Sequence, residues 1–263
     1  MPVTIEKENN TFQLVSPIII NTKDNSILIE IPAGKFEMGD GRNNDCPQHT
    51  IHLDRYYIGV YTVTNLQYKQ FVDETGHRPP DKSDYSSDTP IWKGKSYPES
   101  YTDHPVVCVN WEDAAAYCRW AGGTLSTEAQ WEKAARGPKG FIYPWGNDWD
   151  QNLCRNDKNK GSETTCTVYE YPKGVSGYGC YNLSGNVWEW CSDWYGSDYY
   201  KNSPPKNPTG PDTGSGRVNR GGGWDRGGTE FFRAAYRCDR GPSRSGGFRG
   251  FRLLLAPAGQ GYS

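Results

Sequence analysis

Residues 181–190 of the chain read YNLSGNVWEW, and much of the expected fold follows from this stretch. It brings the amide of Asn182, the turn residue Gly185 and the carboxylate of Glu189 close together in sequence. Spacing alone allows a tight turn that leads into an aromatic strand, or a set of oxygen ligands of the kind that calcium prefers. Taken by itself, the spacing favours the turn.

A second glycine-rich stretch lies downstream, where 217–224 reads RVNRGGGW and 250–253 reads GFRL. Its glycines permit close backbone packing or a positive φ. The stretch does not match a phosphate-binding loop, because no Gly-Lys-Ser/Thr follows it and no helix is predicted after it. We therefore expect tightly packed core strands here.

The composition limits the class of protein. The chain has 263 residues with 31 glycines and 18 prolines, is 14% aromatic and carries a net charge of −2. The aromatic content is not typical of a disordered chain, and the glycine content is not typical of a coiled coil or a helical bundle. No apolar run approaches the ~18 residues of a membrane span. We therefore predict one loop-rich globular domain over 1–263, with an aromatic core.

Partners and location follow from charge and from the N-terminus. Arginines crowd the C-terminal end, which can indicate an anionic partner. Stacking on aromatic rings and pairing with carboxylates explains most of them more simply, and we expect no nucleic-acid partner. The N-terminus has no basic segment followed by an apolar one. The cytoplasm is therefore the default location, or the cell surface or exterior if a leader was removed.

Alternation and turn residues predict the strands. We expect strands over 12–20, 26–31, 34–38 and 52–60. Over 139–216 helical periodicity disappears, and Gly, Asn, Asp, Tyr and Trp dominate. That composition predicts long ordered loops around short strands, and loops of this length usually have a function or are held by metal ions.

Capping motifs predict three helices. Thr64 starts a helix that ends at Gly76, Asn110 starts a second helix, and Thr127 starts a third that ends at Gly137. In each motif the side chain of the capping residue accepts a free N–H of the first turn, and a residue three positions later returns a bond.

The eight cysteines show no CxxC pair, so we expect no structural zinc site. Cys108 and Cys118 lie in apolar stretches and are predicted to be buried thiols. The sequence cannot settle whether disulfides form. Two bridges between loops stay open as alternatives, namely Cys154 with Cys166 and Cys180 with Cys191.

Ordered blocks along the chain carry the strongest signal. They are 31–39 (IPAGKFEMG), 49–76, 104–107, 123–137, 143–147 (YPWGN), 185–190 (GNVWEW), 220–224 and 250–253. With these blocks the chain resembles the formylglycine-generating enzyme (sulfatase-modifying factor) family. The resemblance implies an α+β, C-type-lectin-like fold, with a twisted antiparallel sheet, two or three helices and long irregular loops.

The resemblance also implies a structural calcium ion. Its ligands would be the side chain of Asn182, the main-chain oxygens of Gly185 and Val187, and the carboxylate of Glu189. A second calcium site of the family needs a downstream aspartate, and 159–163 reads NKGSE instead. The chain therefore lacks one of the ligands of the family's second site.

One departure from the family concerns its metal chemistry. The oxidases hold copper(I) with two cysteines, since soft thiolates suit that ion, and this chain has Arg226 and Phe231 in their place. Cys238 has no partner nearby in sequence. We therefore expect no copper and predict that the chain is not an enzyme. The alternatives are an enzyme of this family with different, non-copper chemistry, or an inactive paralogue that partners an active oxidase.

The segment 225–249 has a composition of its own. It contains no Lys, Gln, Met or Trp, and Glu230 is its single glutamate. Codons that end in a pyrimidine cannot encode these residues, and diversity-generating retroelements produce such codons. The chain resembles the variable proteins of these elements, which often have the same scaffold. The resemblance implies a non-catalytic, receptor-like protein that binds a protein or a cell-surface ligand.

Aromatic and arginine side chains are frequent in binding surfaces, together with small polar ones. Alternation predicts that at least one of Phe231 and Phe232 belongs to the core instead. The candidate ligand-binding residues are Asp225, Arg226, Thr229, Phe231, Phe232, Tyr236, Asp239, Arg240, Ser243, Ser245 and Phe248.

Overall fold

The structure is a computed structural model, and it describes residues 4–7, 10–13, 17–86, 88 and 90–257. Its elements, in chain order, are β1 (Thr4–Lys7), β2 (Asn10–Gln13), β3 (Ile18–Ile20), β4 (Ile27–Ile31), β5 (Gly34–Met38), β6 (His49–Leu53), β7 (Tyr56–Gly59), α1 (Asn65–Thr75), α2 (Trp111–Trp120), β8 (Thr124–Leu125), α3 (Glu128–Arg136), β9 (Trp188–Trp194), α4 (Tyr199–Asn202), β10 (Arg217–Arg220), β11 (Cys238–Arg240), β12 (Arg249–Gly250) and β13 (Leu253–Leu255).

Two larger sheets and two hairpins make up the β-structure. The five-stranded sheet has the order β3–β4–β7–β13–β8 and is antiparallel throughout. The four-stranded sheet has the order β11–β10–β9–β12, and its last pair is parallel. β1 with β2 and β5 with β6 form the hairpins. Helices are few and loops are long, as the α+β prediction requires.

The single strand predicted over 52–60 is wrong. The chain forms β6 and β7 there, and the two strands belong to different sheets. Between them, the N–H of Asp54 donates to the side-chain oxygen of Asn207 at 2.9 Å. This N–H is therefore not available for pairing with a neighbouring strand. The strand predicted over 12–20 includes 14–16, which lie outside the described residues.

All three predicted helix starts are confirmed. Each N-cap side chain accepts the N–H of the third helical residue, and that residue's side chain accepts the N–H of the cap. In α3 these two bonds join Thr127 and Gln130 at 3.2 and 2.8 Å. The helices α1 and α3 end before Gly76 and Gly137, whose φ values are 72° and 65°. Local sequence is therefore sufficient to place these elements.

The prediction of an aromatic core holds for one cluster, whereas a second cluster consists mainly of aliphatic side chains such as Ile29, Leu53 and Ile58. Tyr68 of α1 stacks on Tyr117 of α2 with 5.8 Å between ring centres. Both rings stand edge-on to Phe251, at 6.4 and 5.3 Å, and all three residues are buried. Burying a side chain of this size contributes roughly 1.5–3 kcal/mol. The cluster therefore fixes α1 and α2 against strands β4 and β13, which supply Leu28 and Leu253.

The chain between α3 and β9 confirms the predicted long ordered loops. Its regular structure is confined to a 3₁₀ turn at Gln151–Leu153. Neither alternative disulfide is present, since all eight cysteines, each within the described part of the chain, are free. Cys108 and Cys118 are fully buried, as predicted. Among the described residues, no helix combines the length and the hydropathy needed to cross a bilayer.

Candidate functional site

The candidate site lies on the four-stranded sheet, with β9 near its centre. β10 pairs antiparallel with β9 and places Asn219 opposite Trp190. β12 pairs parallel with β9 and places Arg249 opposite Trp188. The two predicted core stretches therefore pack on the same strand. The segment 225–249 leaves the sheet after β10 and returns to it in β11 and β12, so both of its ends are anchored.

Glu189 in β9 is the centre of a buried ion pair. Its carboxylate accepts two hydrogen bonds from Arg252, both at 2.7 Å, and one from the indole N–H of Trp131 at 2.8 Å. Arg252 also donates to the main-chain oxygens of Gly59 and Tyr181. Removing one partner of such a pair costs about 3–5 kcal/mol, because the other charge is left buried and unpaired.

A second buried network joins α3 to the end of the chain. Glu128 accepts two hydrogen bonds from Arg237, at 2.8 and 2.9 Å, and one from Arg220 at 2.9 Å. Arg220 also donates to Glu132 at 2.6 Å. Burial opposes ionisation of Glu128, yet the two arginines lower its pKa. These arginines pair with carboxylates inside the fold, as expected from the sequence.

Asn182 shows the clearest sign of a cation site. Its amide nitrogen donates to the main-chain oxygen of Val168 at 2.7 Å, while its side-chain oxygen is buried with no hydrogen-bond partner among the described residues. Glu189 keeps about one of its roughly four acceptor positions after three hydrogen bonds. An amide oxygen and a carboxylate suit a hard cation such as calcium. Asn182 therefore supplies one free oxygen for the ion that the family resemblance implies, while the charge of Glu189 is already paired with Arg252.

The turn that carries these groups depends on Gly185. Its φ is 82°, and a Cβ at this position would lie 2.4 Å from the main-chain oxygen of Arg155. A side chain here would force the two loops apart, so the course of the turn is fixed. The main-chain oxygens of Gly185 and Val187 stay the predicted further ligands.

The structure divides the predicted ligand-binding residues into two groups. Phe232, Ser245 and Phe248 are only 0%, 7% and 9% exposed. Ligand contact by these three residues is therefore corrected to a role in the core. The residues that remain half-buried or exposed are Asp225, Arg226, Thr229, Phe231, Tyr236, Asp239, Arg240 and Ser243.

The adjacent phenylalanines confirm that one of them belongs to the core. Both lie in a 3₁₀ turn, Thr229–Phe232. Phe232 points inward and stacks on Trp149 with 5.0 Å between ring centres, whereas Phe231 is half-buried. The turn thus separates one ring of the core from one ring of the surface.

A loop at 83–86 explains the burial of the other two residues. The main-chain N–H of Ser245 donates to the carboxylate of Asp84 at 2.6 Å. The ring of Phe248 lies 5.1 Å from the ring of Tyr85. The sequence gives no sign of these contacts, because they join parts of the chain about 160 residues apart.

We name one surface the aromatic patch and define it by the partly exposed residues Asp225, Arg226, Phe231 and Tyr236 of the segment, together with the buried Trp188 of β9 beneath them. The guanidinium carbon of Arg226 lies 5.1 Å from the ring of Phe231 and 5.8 Å from that of Trp188. Tyr236 stands edge-on to Phe231 at 5.2 Å. Burial raises the pKa of Asp225. The sequence did not identify Trp188 as a candidate binding residue, because the GNVWEW block already explained it as part of the scaffold.

Main-chain hydrogen bonds join the scaffold to the segment 225–249 at several points. The hydroxyl of Ser184 donates to the main-chain oxygen of Phe232 at 2.6 Å. Such bonds do not depend on which side chains the segment carries. Residues outside the segment also form hydrogen bonds with the main-chain atoms of Arg226, Ala234, Pro242, Ser245, Gly246 and Gly247.

Comparison with known proteins agrees with this architecture. The family model described as the sulfatase-modifying factor enzyme 1-like domain matches residues 13–257. The chain belongs to this family. The formylglycine-generating enzyme of Streptomyces coelicolor is 36% identical, with 85% of this chain and 87% of the relative covered. The enzyme of Thermomonospora curvata is 34% identical, with 88% and 93% covered.

Among solved structures, Treponema denticola variable protein 1 is similar with a TM-score of 0.75 and 25% identity, over 92% of this chain and 99% of that one. These neighbours confirm the predicted fold of the formylglycine-generating enzyme type, which is C-type-lectin-like. Both resemblances seen in the sequence therefore have counterparts among known proteins.

The prediction that the chain is not an enzyme is wrong. Relatives that are 34–36% identical over most of the chain are named formylglycine-generating enzymes. The presence of Arg226 and Phe231 shows only that the two cysteine thiolates of the oxidases are absent. The loss of two metal ligands does not remove the rest of a family site, so it cannot by itself exclude catalysis.

Proposed function

We propose that the chain is an enzyme of this family that recognises its substrate on the aromatic patch and works without a copper(I) site. The observation that carries the proposal is the pair of residues at the two oxidase cysteine positions. The guanidinium carbon of Arg226 lies 5.1 Å from the ring of Phe231. A guanidinium and a phenyl ring cannot replace two thiolates as ligands of a soft ion.

The polar atoms of the patch support its role in recognition. The Oδ1 of Asp225 has no hydrogen-bond partner among the described residues, while its Oδ2 forms an ion pair with the Nε of Arg226 at 3.3 Å. A buried polar atom without a partner carries a desolvation cost. A substrate that supplies a donor to this oxygen removes that cost, while the rings of Phe231 and Tyr236 give it apolar contact.

Restoring the thiolates tests the copper part of the proposal. We expect the double variant Arg226→Cys, Phe231→Cys to bind copper(I) at least about 100-fold more tightly than the wild type, because it regains two soft ligands. Competition with a chromophoric copper(I) chelator measures this. The single variant Arg226→Cys is the matched control, with one thiolate. Equal affinity of the wild type and the double variant would contradict the proposal.

A second candidate role is diversified recognition of a protein or a cell-surface ligand. It is favoured by the way the scaffold holds the main chain of 225–249, which leaves side chains such as Arg226 and Tyr236 free to differ. The similarity to a variable protein of Treponema denticola agrees with it. Sequencing the locus tests the idea: a template repeat and a reverse transcriptase are expected, with paralogues that differ within 225–249. A locus that lacks both rules it out.

We also propose a structural calcium ion held by Asn182, Gly185, Val187 and Glu189. The buried, unpartnered side-chain oxygen of Asn182 supports it. When bound, the ion would supply a cross-link between a loop and strand β9. The chain's own residues position the turn, and no step of the proposed recognition depends on the ion.

A further inference from the structure

Beside the aromatic patch, the loop 83–86 brings Tyr85 against the end of the segment 225–249. The Nη2 of Arg249 donates to the hydroxyl of Tyr85 at 3.1 Å. The guanidinium carbon of Arg249 lies 5.4 Å from the centre of the Tyr85 ring. Tyr85 is half-buried, whereas Arg249 is only 2% exposed. A buried guanidinium thus donates a hydrogen bond to the hydroxyl of a half-buried tyrosine.

Arg249 lacks the partner that a buried guanidinium needs. Its Nη1 is buried without a hydrogen-bond partner, and no carboxylate pairs with it among the described residues. By contrast, the buried residues Arg220, Arg237 and Arg252 all form carboxylate pairs. An unpaired buried charge is costly. Arg249 therefore keeps one guanidinium N–H that can donate to an oxygen of a bound ligand.

Arg240 adds a second cation at the same place. In the described part of the chain it has no carboxylate partner, and its Nη1 donates to the main-chain oxygen of Asp239 at 2.9 Å. Burial opposes ionisation of Tyr85, yet the hydrogen bond from Arg249 and the nearby charge of Arg240 lower its pKa. The pKa of Arg249 is itself lowered, by burial and by the neighbouring Arg240. Arg249 therefore donates to this hydroxyl, and Arg240 adds a second positive charge in its surroundings.

We infer that Tyr85, Arg240 and Arg249 form a subsite for an oxyanion carried by the ligand of the aromatic patch. The inference rests on the recognition role proposed above and names the chemistry that the ligand brings. Guanidinium N–H groups match the oxygens of a carboxylate, sulfate or phosphate. The tyrosine hydroxyl accepts from Arg249 and can donate its own proton to the anion.

Inorganic anions test the subsite on the full chain. We expect sodium sulfate, at an ionic strength matched with sodium chloride, to raise the Tm of the wild type by more than it raises that of Arg240→Gln. Sulfate also stabilises proteins in general, so Arg244→Gln, an exposed arginine of the same segment, is the matched control and should respond as the wild type does. Calorimetry should give a sulfate Kd about tenfold weaker for Arg240→Gln, the effect of one charge-assisted hydrogen bond.

A spectroscopic readout separates binding from general stabilisation. Sulfate should raise the pH at which one tyrosine of the wild type ionises in ultraviolet titration, and Tyr85→Phe should abolish that shift. Equal responses of Arg240→Gln and Arg244→Gln to sulfate, or a shift that persists in Tyr85→Phe, would overturn the inference.

Parallel titrations with acetate and phosphate distinguish a carboxylate ligand from a sulfate or phosphate one. The copper(I) experiment uses Arg226 and Phe231 and no anion. Failure of the subsite and failure of the copper part of the proposed function are therefore distinguishable.

Discussion

Single residues determine how the fold responds to pH, and Asp193 is the clearest case. Burial and the nearby charge of Glu128 raise its pKa to about 7. Its carboxylate accepts hydrogen bonds from the N–H of Glu128 and the hydroxyl of Ser192, both at 2.9 Å. The folded chain therefore holds a proton on Asp193 that the unfolded chain releases near its ordinary pKa of 3.8.

The sign of the effect follows from proton linkage. Between pH 4 and 7 the folded state binds more protons at Asp193, so stability falls as pH rises, by up to about 1.4 kcal/mol per pH unit for one proton. We expect Asp193→Asn to lose this slope and to gain stability relative to the wild type at pH 8. Urea unfolding at pH 5 and pH 8 measures it. Asp198→Asn, which changes an exposed carboxylate, should keep the wild-type slope; a parallel slope in Asp193→Asn contradicts the prediction.

At the scale of elements, α3 connects the scaffold to the site. It carries Trp131 against Glu189 and holds Arg220 and Arg237 through Glu128. Its first turn is closed by its capping box. A loss of helical order at the start of α3 therefore displaces Glu128 and disrupts its buried ion pairs with Arg220 and Arg237.

Substitution of the α3 cap tests this connection. We expect Thr127→Ala to lower the free energy of unfolding by about 1 kcal/mol, because an N–H of the first turn loses its acceptor. Thr127→Ser keeps the hydroxyl and is the matched control. Chemical denaturation measures both variants. Similar losses for Ala and Ser would show that the methyl group, and not the cap, stabilises this end.

At the scale of the whole molecule, the proposed calcium ion would connect a long loop to the sheet. We expect calcium to raise the Tm of the wild type and EGTA to lower it, since an ion that binds only the folded state adds about 2.7 kcal/mol at 100 times its Kd. Asn182→Ala, which lacks the unpartnered amide oxygen, should not respond. Magnesium prefers a smaller, more rigid site and serves as the control salt. An equal response of Asn182→Ala would remove Asn182 from the site.

The arrangement of the whole molecule also explains which side chains of the segment 225–249 remain accessible. Main-chain bonds fix its course, while buried arginines such as Arg233 and Arg237 tie it to distant loops. Accessible side chains are thereby concentrated in the aromatic patch and around Arg240. A rigid support of this kind favours recognition, because little entropy is lost when a ligand binds.

The sequence by itself determined the family, the three capped helices and the long loops. These features depend on residues a few positions apart, such as Thr127 and Gln130, or on ordered blocks that stand in the chain itself. Their physics is local, so the pattern of residues is enough to predict them.

Only the tertiary structure decided where β6 ends and β7 begins, which of Phe231 and Phe232 is accessible, and that the loop 83–86 covers Ser245 and Phe248. Each outcome depends on partners far away along the chain, and alternation cannot show which sheet or loop will pack there. The unpaired guanidinium of Arg249 belongs to the same class, because a missing partner becomes visible only when all neighbours are in place.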